Sequence, residues 1–149
     1  MDIIDIFNGL TEEQRKRMIG CILRDIRSKK GISQTHVANT LGYKSTNFIY
    51  MVEKGKALIP AQAIDKFIHA YKIQNPLFRV IIFKSLYPDI WINVQHILSA
   101  ALYTDDVKTL EEGSIKLFFK ICRNIPELHD ITDGLDGLSG LAGLYEDMY

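Results

Sequence analysis

The sequence predicts an all-α protein: a five-helix N-terminal domain, a small helical C-terminal extension and a Gly/Leu-rich tail. Two observations carry this. Apolar residues recur at helical spacing through most of the chain, as at Ile64, Phe67, Ile68 and Tyr71. Residues that start and stop helices punctuate those stretches, with Thr11 and Ser33 before two of them, Gly31 and Gly42 after two, and Pro60 and Pro76 opening two more. With 149 residues, 47% of them hydrophobic, the chain can hold one compact domain, or one small domain with an appendage.

Asp2 to Leu10 is apolar at Ile3, Ile4, Ile6, Phe7 and Leu10, a pattern for a short helix or arm packing on the domain, or instead for a dimer contact. Thr11 and Gln14 have capping-box spacing. The helix they start runs to about Lys29, buries Met18, Ile19, Ile22, Leu23 and Ile26, presents a basic polar face and ends at Gly31. Ser33 caps a short helix, Gln34 to Leu41, whose Val37, Ala38 and Leu41 share a face, and Gly42 stops it. Another helix begins near Ser45 or Thr46, runs to about Glu53 and ends at Lys54-Gly55-Lys56. Two helices crossing steeply need a short side chain where their backbones approach, and Ala38 supplies it.

Taken together, Gln34, Ala38, Gly42, an apolar pair and Glu53-x-Gly55-Lys56 resemble the helix-turn-helix of the Xre family, the phage repressor and Cro-like DNA-binding proteins. The resemblance covers roughly residues 18 to 73. In most members Gly42 and Glu53 stand one residue closer, so the turn Tyr43-Lys44-Ser45 is longer by one. Without the extra residue Phe48 and Met51 would be the inward pair; with it, Ile49 and Val52. We adopt the second, because Glu53-x-Gly55 anchors the far end in the family. A subset of phage-associated bacterial regulators has a similar run of Gly-Tyr-Lys, Asn-Phe-Ile and Met before the acid.

The resemblance implies a repressor-like helix-turn-helix domain and a transcriptional regulator, most often a repressor. It would bind double-stranded DNA as a homodimer at a pseudo-palindromic operator, through the helix near residues 45–53. By family position Thr46, Asn47 and Tyr50 contact base edges, joined by Lys44 and Ser45 if the turn is long, while Gln34, Lys54 and Lys56 contact phosphates. Glu53 is expected to fix the loop after its helix. Thr46 and Ser45 serve equally well as helix caps, and Asn47 as ordinary surface.

Pro60 suits the first position of the helix carrying Ile64, Phe67, Ile68 and Tyr71. Pro76 opens the next, with Leu77, Val80, Ile81 and Leu86, and Pro88 closes it, so the five-helix domain spans residues 1–87. An extension over 88–132 contains a helix from Ile90 to Tyr103 capped by Asp89, with Trp91, Val94, Ile97, Leu98 and Leu102 apolar. It continues with one from Thr104 to Gly113, and with a last one capped by Ser114 that buries Ile115, Leu117, Phe118, Ile121 and Cys122. These apolar helices are left over once the first domain is complete, which suggests dimerisation. Residues 133–149 form an acidic tail with glycines at 134, 137, 140 and 143, to which no helix is assigned; its leucines either stay free or dock on the body or a second subunit.

The net charge is zero but unevenly spread: residues 14 to 56 carry ten basic and two acidic side chains, and Pro76 onward six basic and eleven acidic. A basic front and an acidic back would orient the molecule on a polyanion. The acidic half also suits a second reading, a protein-interaction module such as an antitoxin or phage accessory factor that grips a partner protein. No apolar run approaches the roughly 18 residues of a membrane span. Cys21 and Cys122, far apart in sequence and each in an apolar helical pattern, read as buried thiols rather than a disulfide, so a cytoplasmic protein is expected. His36, His69, His96 and His129 are isolated, without metal-ligand spacing, and no phosphate loop or nucleophile-base pair is present, so neither a cofactor nor an enzyme is expected.

Overall fold

Caps and left-handed glycines end the first helices of the chain where local chemistry places them. Thr11 Oγ1 accepts from Gln14 N at 3.1 Å while Gln14 Oε1 accepts from Thr11 N at 2.9 Å, closing the capping box. Gly31 and Gly42 take φ of 67° and 82°, a region that favours glycine. In the computed structural model, which describes residues 2–102 and 104–136, these signals bound α1 (Ile3–Asn8), α2 (Glu12–Lys29), α3 (Gln34–Leu41) and α4 (Asn47–Glu53). A 3-10 turn at Ala61–Ala63 precedes α5 (Ile64–Ala70), α6 (Leu77–Leu86), α7 (Pro88–Ala101) and α8 (Thr104–Arg123). A second such turn, Pro126–Leu128, leads into α9 (His129–Asp136). The fold is all-α, with no strand among the described residues.

One apolar core runs from Ile3 in α1 to Ile131 in α9. Helix α6 lies at its centre and packs against α2, α5, α7 and α8. Helix α1 is core: Ile3, Ile6 and Phe7 are buried, and the Phe7 ring meets Phe118 edge-on with centroids 5.3 Å apart. Helix α8 contributes Ile115, Phe118, Phe119 and Cys122 to the same core. Burial is therefore continuous across Tyr87, where the sequence suggested one domain ends and an extension begins.

Several expected boundaries shift. Residues 104–123 are one helix, not two joined at Gly113, because a Cβ on Gly113 would meet nothing and the buried positions Val107, Glu111, Ser114, Ile115, Phe118 and Cys122 form one unbroken stripe. Against that stripe the glycine penalty of about 1 kcal/mol is too small to break the helix. Ser114 starts no helix; its hydroxyl donates to Leu110 O at 2.8 Å. Pro88 opens α7 instead of merely closing α6, since a proline lacking its N–H fits a first helical turn. Pro60 leads into the 3-10 turn rather than directly into α5. Pro76 stands one residue before α6, where Asn75 Oδ1 accepts from Leu77 N at 3.0 Å.

The buried stripes shift as well. In α6 Phe78 and Ile82 are buried and Leu77 and Val80 only half-buried, and in α8 Phe119 is buried while Leu117 and Ile121 are half-buried. Helix α7 buries Trp91 alone and leaves Ile97 68% exposed, and Leu102, the residue just past its end, is 56% exposed. Gly134 lies inside α9, and the rest of the Gly/Leu-rich run, from 137, lies outside the described residues. Among the described residues no helix is long and apolar enough to cross a membrane.

Candidate nucleic-acid interface

Helices α3 and α4 are set against the body by a short series of local contacts. Ser33 Oγ accepts from His36 N at 3.0 Å at the start of α3. At its end Gly42 N donates to Asn39 O and Tyr43 N to Ala38 O, at 3.1 and 2.9 Å, so the left-handed glycine turns the chain toward α4. Within the turn the Tyr43 ring lies against Phe48 with centroids 5.2 Å apart, and Phe48 meets Phe67 of α5 edge-on. Helix α4 begins at Asn47, later than Ser45; Thr46 makes no side-chain cap, and the hydroxyl of Ser45 accepts a long hydrogen bond, 3.4 Å, from Asn47 N.

The inward residues of α4 are Ile49 and Val52, both buried, whereas Phe48 and Met51 are half-buried at its sides. This is the register that a turn longer by one residue gives. It leaves Asn47, Tyr50 and Lys54 exposed at i, i+3 and i+7, one face of a helix and its end, with Lys54 Nζ 5.7 Å over the Tyr50 ring. Lys44 and Ser45 are exposed in the turn before it, Thr46 is half-buried, and Lys56 is exposed after it. Among the described residues, Lys44, Lys54 and Lys56 have no carboxylate partner.

What fixes α4 is a buried polar network that the sequence does not announce. Glu53 is 3% exposed. Its carboxylate accepts from Arg27 Nε at 2.8 Å and Nη2 at 2.9 Å, from the Tyr71 hydroxyl at 2.6 Å and from Gln34 Nε2 at 3.2 Å. The hydrogen bond to Glu53 raises the Arg27 guanidinium further above its ordinary value, and burial, then the same carboxylate, pushes the Tyr71 phenol up. One side chain thereby ties α2, α3 and the end of α5 to the last residue of α4. Gln34, which family position assigns to a phosphate, turns its amide nitrogen inward to this carboxylate.

Glycine completes the seat. A Cβ on Gly20 of α2 would stand 2.5 Å from Val52 O and 2.6 Å from Glu53 O, so α4 crosses α2 at backbone contact. Gly55, with φ of 73°, makes the same kind of approach to Arg17 Cα. A glycine inside a helix is a sequence signal for close packing, and Gly20 could have been found that way. Arg27 and Tyr71 carried no comparable signal.

The basic face of α2 is partly engaged by the acidic end of the chain. Arg17 makes a two-pronged contact with Asp130 at 2.7 and 3.0 Å, and Arg24 lies 3.6 Å from Glu127. The Arg17 hydrogen bond lowers the Asp130 carboxyl below its usual value. Both cysteines are free, and burial pushes both thiols up, which disfavours thiolate chemistry. No group of His, Cys, Asp and Glu among the described residues is arranged to hold a metal ion. No protein-family model, curated protein or solved structure matches the chain.

Proposed function

We propose that the chain is a sequence-specific DNA-binding regulator of the helix-turn-helix type, a dimeric repressor that places α4 in the major groove. The observation that carries the reading is the disposition of α4. Its apolar pair Ile49 and Val52 is inward, its far end is clamped by Glu53, and Asn47, Tyr50 and Lys54 face outward beside the exposed Lys44 and Lys56. A short helix held this firmly, with polar and aromatic side chains outward and cations at both ends, suits base readout flanked by phosphate contacts. Asn47 is the base reader for adenine, Tyr50 touches a thymine methyl, Lys44 takes guanine or a phosphate, and Ser45 and Thr46 lie at the groove edge. Lys54 and Lys56 neutralise phosphates, and the amides at the start of α3, rather than the Gln34 side chain alone, meet the backbone of the DNA.

Selection from a pool of genomic fragments, with the retained DNA sequenced, tests this. The expected result is a single pseudo-palindromic motif whose half-sites lie about 34 Å apart, one turn of B-DNA. Retention without any shared motif would contradict it and turn attention to the protein-interaction reading, for which the exposed apolar residues of α7 are the favouring observation.

A further inference from the structure

We propose that Arg17 and Arg24 of α2 extend the phosphate-binding strip that Lys54 and Lys56 begin, and that Asp130 and Glu127 occupy them when no DNA is bound. The acidic end of the chain then competes with DNA phosphates for the same guanidinium groups. This rests on the reading of α4 as a DNA-binding helix and adds to it a self-limiting contact.

Position joins the arginines to the end of α4. Arg17, Cys21 and Arg24 stand at i, i+4 and i+7 on one face of α2. The loop after α4 is pressed against that helix: a Cβ on Gly55 would stand 2.7 Å from Arg17 Cα, so Lys54 and Lys56 flank a backbone contact with α2. Lys54 belongs to both surfaces. Its Nζ lies 5.7 Å over the Tyr50 ring, and its charge also reaches the Cys21 thiol. Burial pushes that thiol up and Glu127 adds to the shift, while Arg17, Arg24 and Lys54 oppose it.

The partners of the two arginines resemble phosphate in charge and shape. Arg17 holds Asp130 two-pronged at 2.7 and 3.0 Å, the geometry in which a guanidinium also takes two phosphate oxygens, and it donates to Glu127 O as well. Arg24 lies 3.6 Å from the Glu127 carboxylate, beside a cleft of about 200 Å³. All four side chains are at least 40% exposed. Ion pairs this open contribute little to stability, so exchanging a carboxylate for a phosphate costs little. Ile125, Leu128 and Ile131 are buried, so the acidic segment stays seated and the side chains alone change partners. Each carboxylate left behind then faces the incoming phosphate and weakens binding.

Full-length wild type and Glu127→Gln/Asp130→Asn are titrated into a labelled random-sequence DNA duplex and into the fragment selected from the genomic pool, across a salt series. The double variant is expected to bind both duplexes roughly tenfold tighter in about 50 mM salt, with a salt slope steeper by about one to two. Adding Arg17→Ala and Arg24→Ala to it should remove the gain. Glu127→Gln alone, which leaves Arg17 paired with Asp130, should give only part of it. Asp89→Asn/Asp106→Asn, on α7 and α8, changes the net charge equally and should leave affinity and slope at the wild-type values. Helical circular dichroism of each variant confirms that it folds. Affinity and slope unchanged in the folded double variant, or an equal gain from the control at Asp89 and Asp106, overturns the proposal while a selected motif still stands. The gain without any shared motif supports it and removes base readout instead. No binding of either duplex by any variant overturns both.

Discussion

At Glu53 a single carboxylate receives donors from Arg27, Gln34 and Tyr71, and is itself the last residue of α4. Breaking a buried pair by neutralising one member leaves the other desolvated, so Glu53→Gln is expected to lower unfolding stability by about 3 kcal/mol in a urea titration. Arg27→Met combined with Glu53→Leu should recover part of that loss, because the unpaired charge goes with the pair. Little of this was legible beforehand. The anchoring place of Glu53 comes from the family resemblance alone. Its three donors lie 18 to 26 residues away, and nothing in a local pattern connects them. The bond of the Gln34 amide is equally hidden: its position on α3 is visible in the sequence, but the carboxylate it meets, 19 residues on, is not.

Helix ends were legible wherever one cap or one left-handed glycine decides them, as at Thr11, Ser33, Gly31 and Gly42. They were misread where packing outweighs propensity. Gly113 lies on an open side of α8 with nothing near its missing Cβ, so Gly113→Ala is expected to stabilise the chain by about 1 kcal/mol, seen as a raised thermal midpoint. If residues 104–123 were two helices hinged there, the same change would destabilise. Helix α9 is held to α2 partly by Arg17 and Asp130. The Asp130 carboxyl is depressed in the folded chain, so its contribution is present above the ordinary value of 3.8 and is lost as pH falls through the lower folded value. Amide exchange in α9 of the wild type, corrected for intrinsic rates, should therefore quicken on acidification over that range, and Asp130→Asn should remove most of the pH dependence.

For the molecule as a whole, the all-helical architecture was legible and the continuity of its core was not. Phe7, Phe118 and Phe119 are apolar in any reading, but that α1 and α8 bury them against each other is settled only by the fold. This moves the argument for a proposed dimer from the extension at large to the face of α7 on which Ile90 and Ile97, seven residues apart, are exposed. Ile97→Lys is expected to convert a dimer to a monomer in sedimentation velocity without loss of helicity; a dimer that survives it places the interface elsewhere. The most direct test of the central claim is a salt series of binding to the selected fragment by Asn47→Ala and Lys56→Ala. A base reader and a phosphate contact separate there. Asn47→Ala should cost about 1–3 kcal/mol on the selected sequence, leave nonspecific binding alone and keep the salt slope, while Lys56→Ala should weaken both and reduce the slope by about one. Equal losses on specific and random DNA for Asn47→Ala would contradict the assignment of α4 as the reading helix.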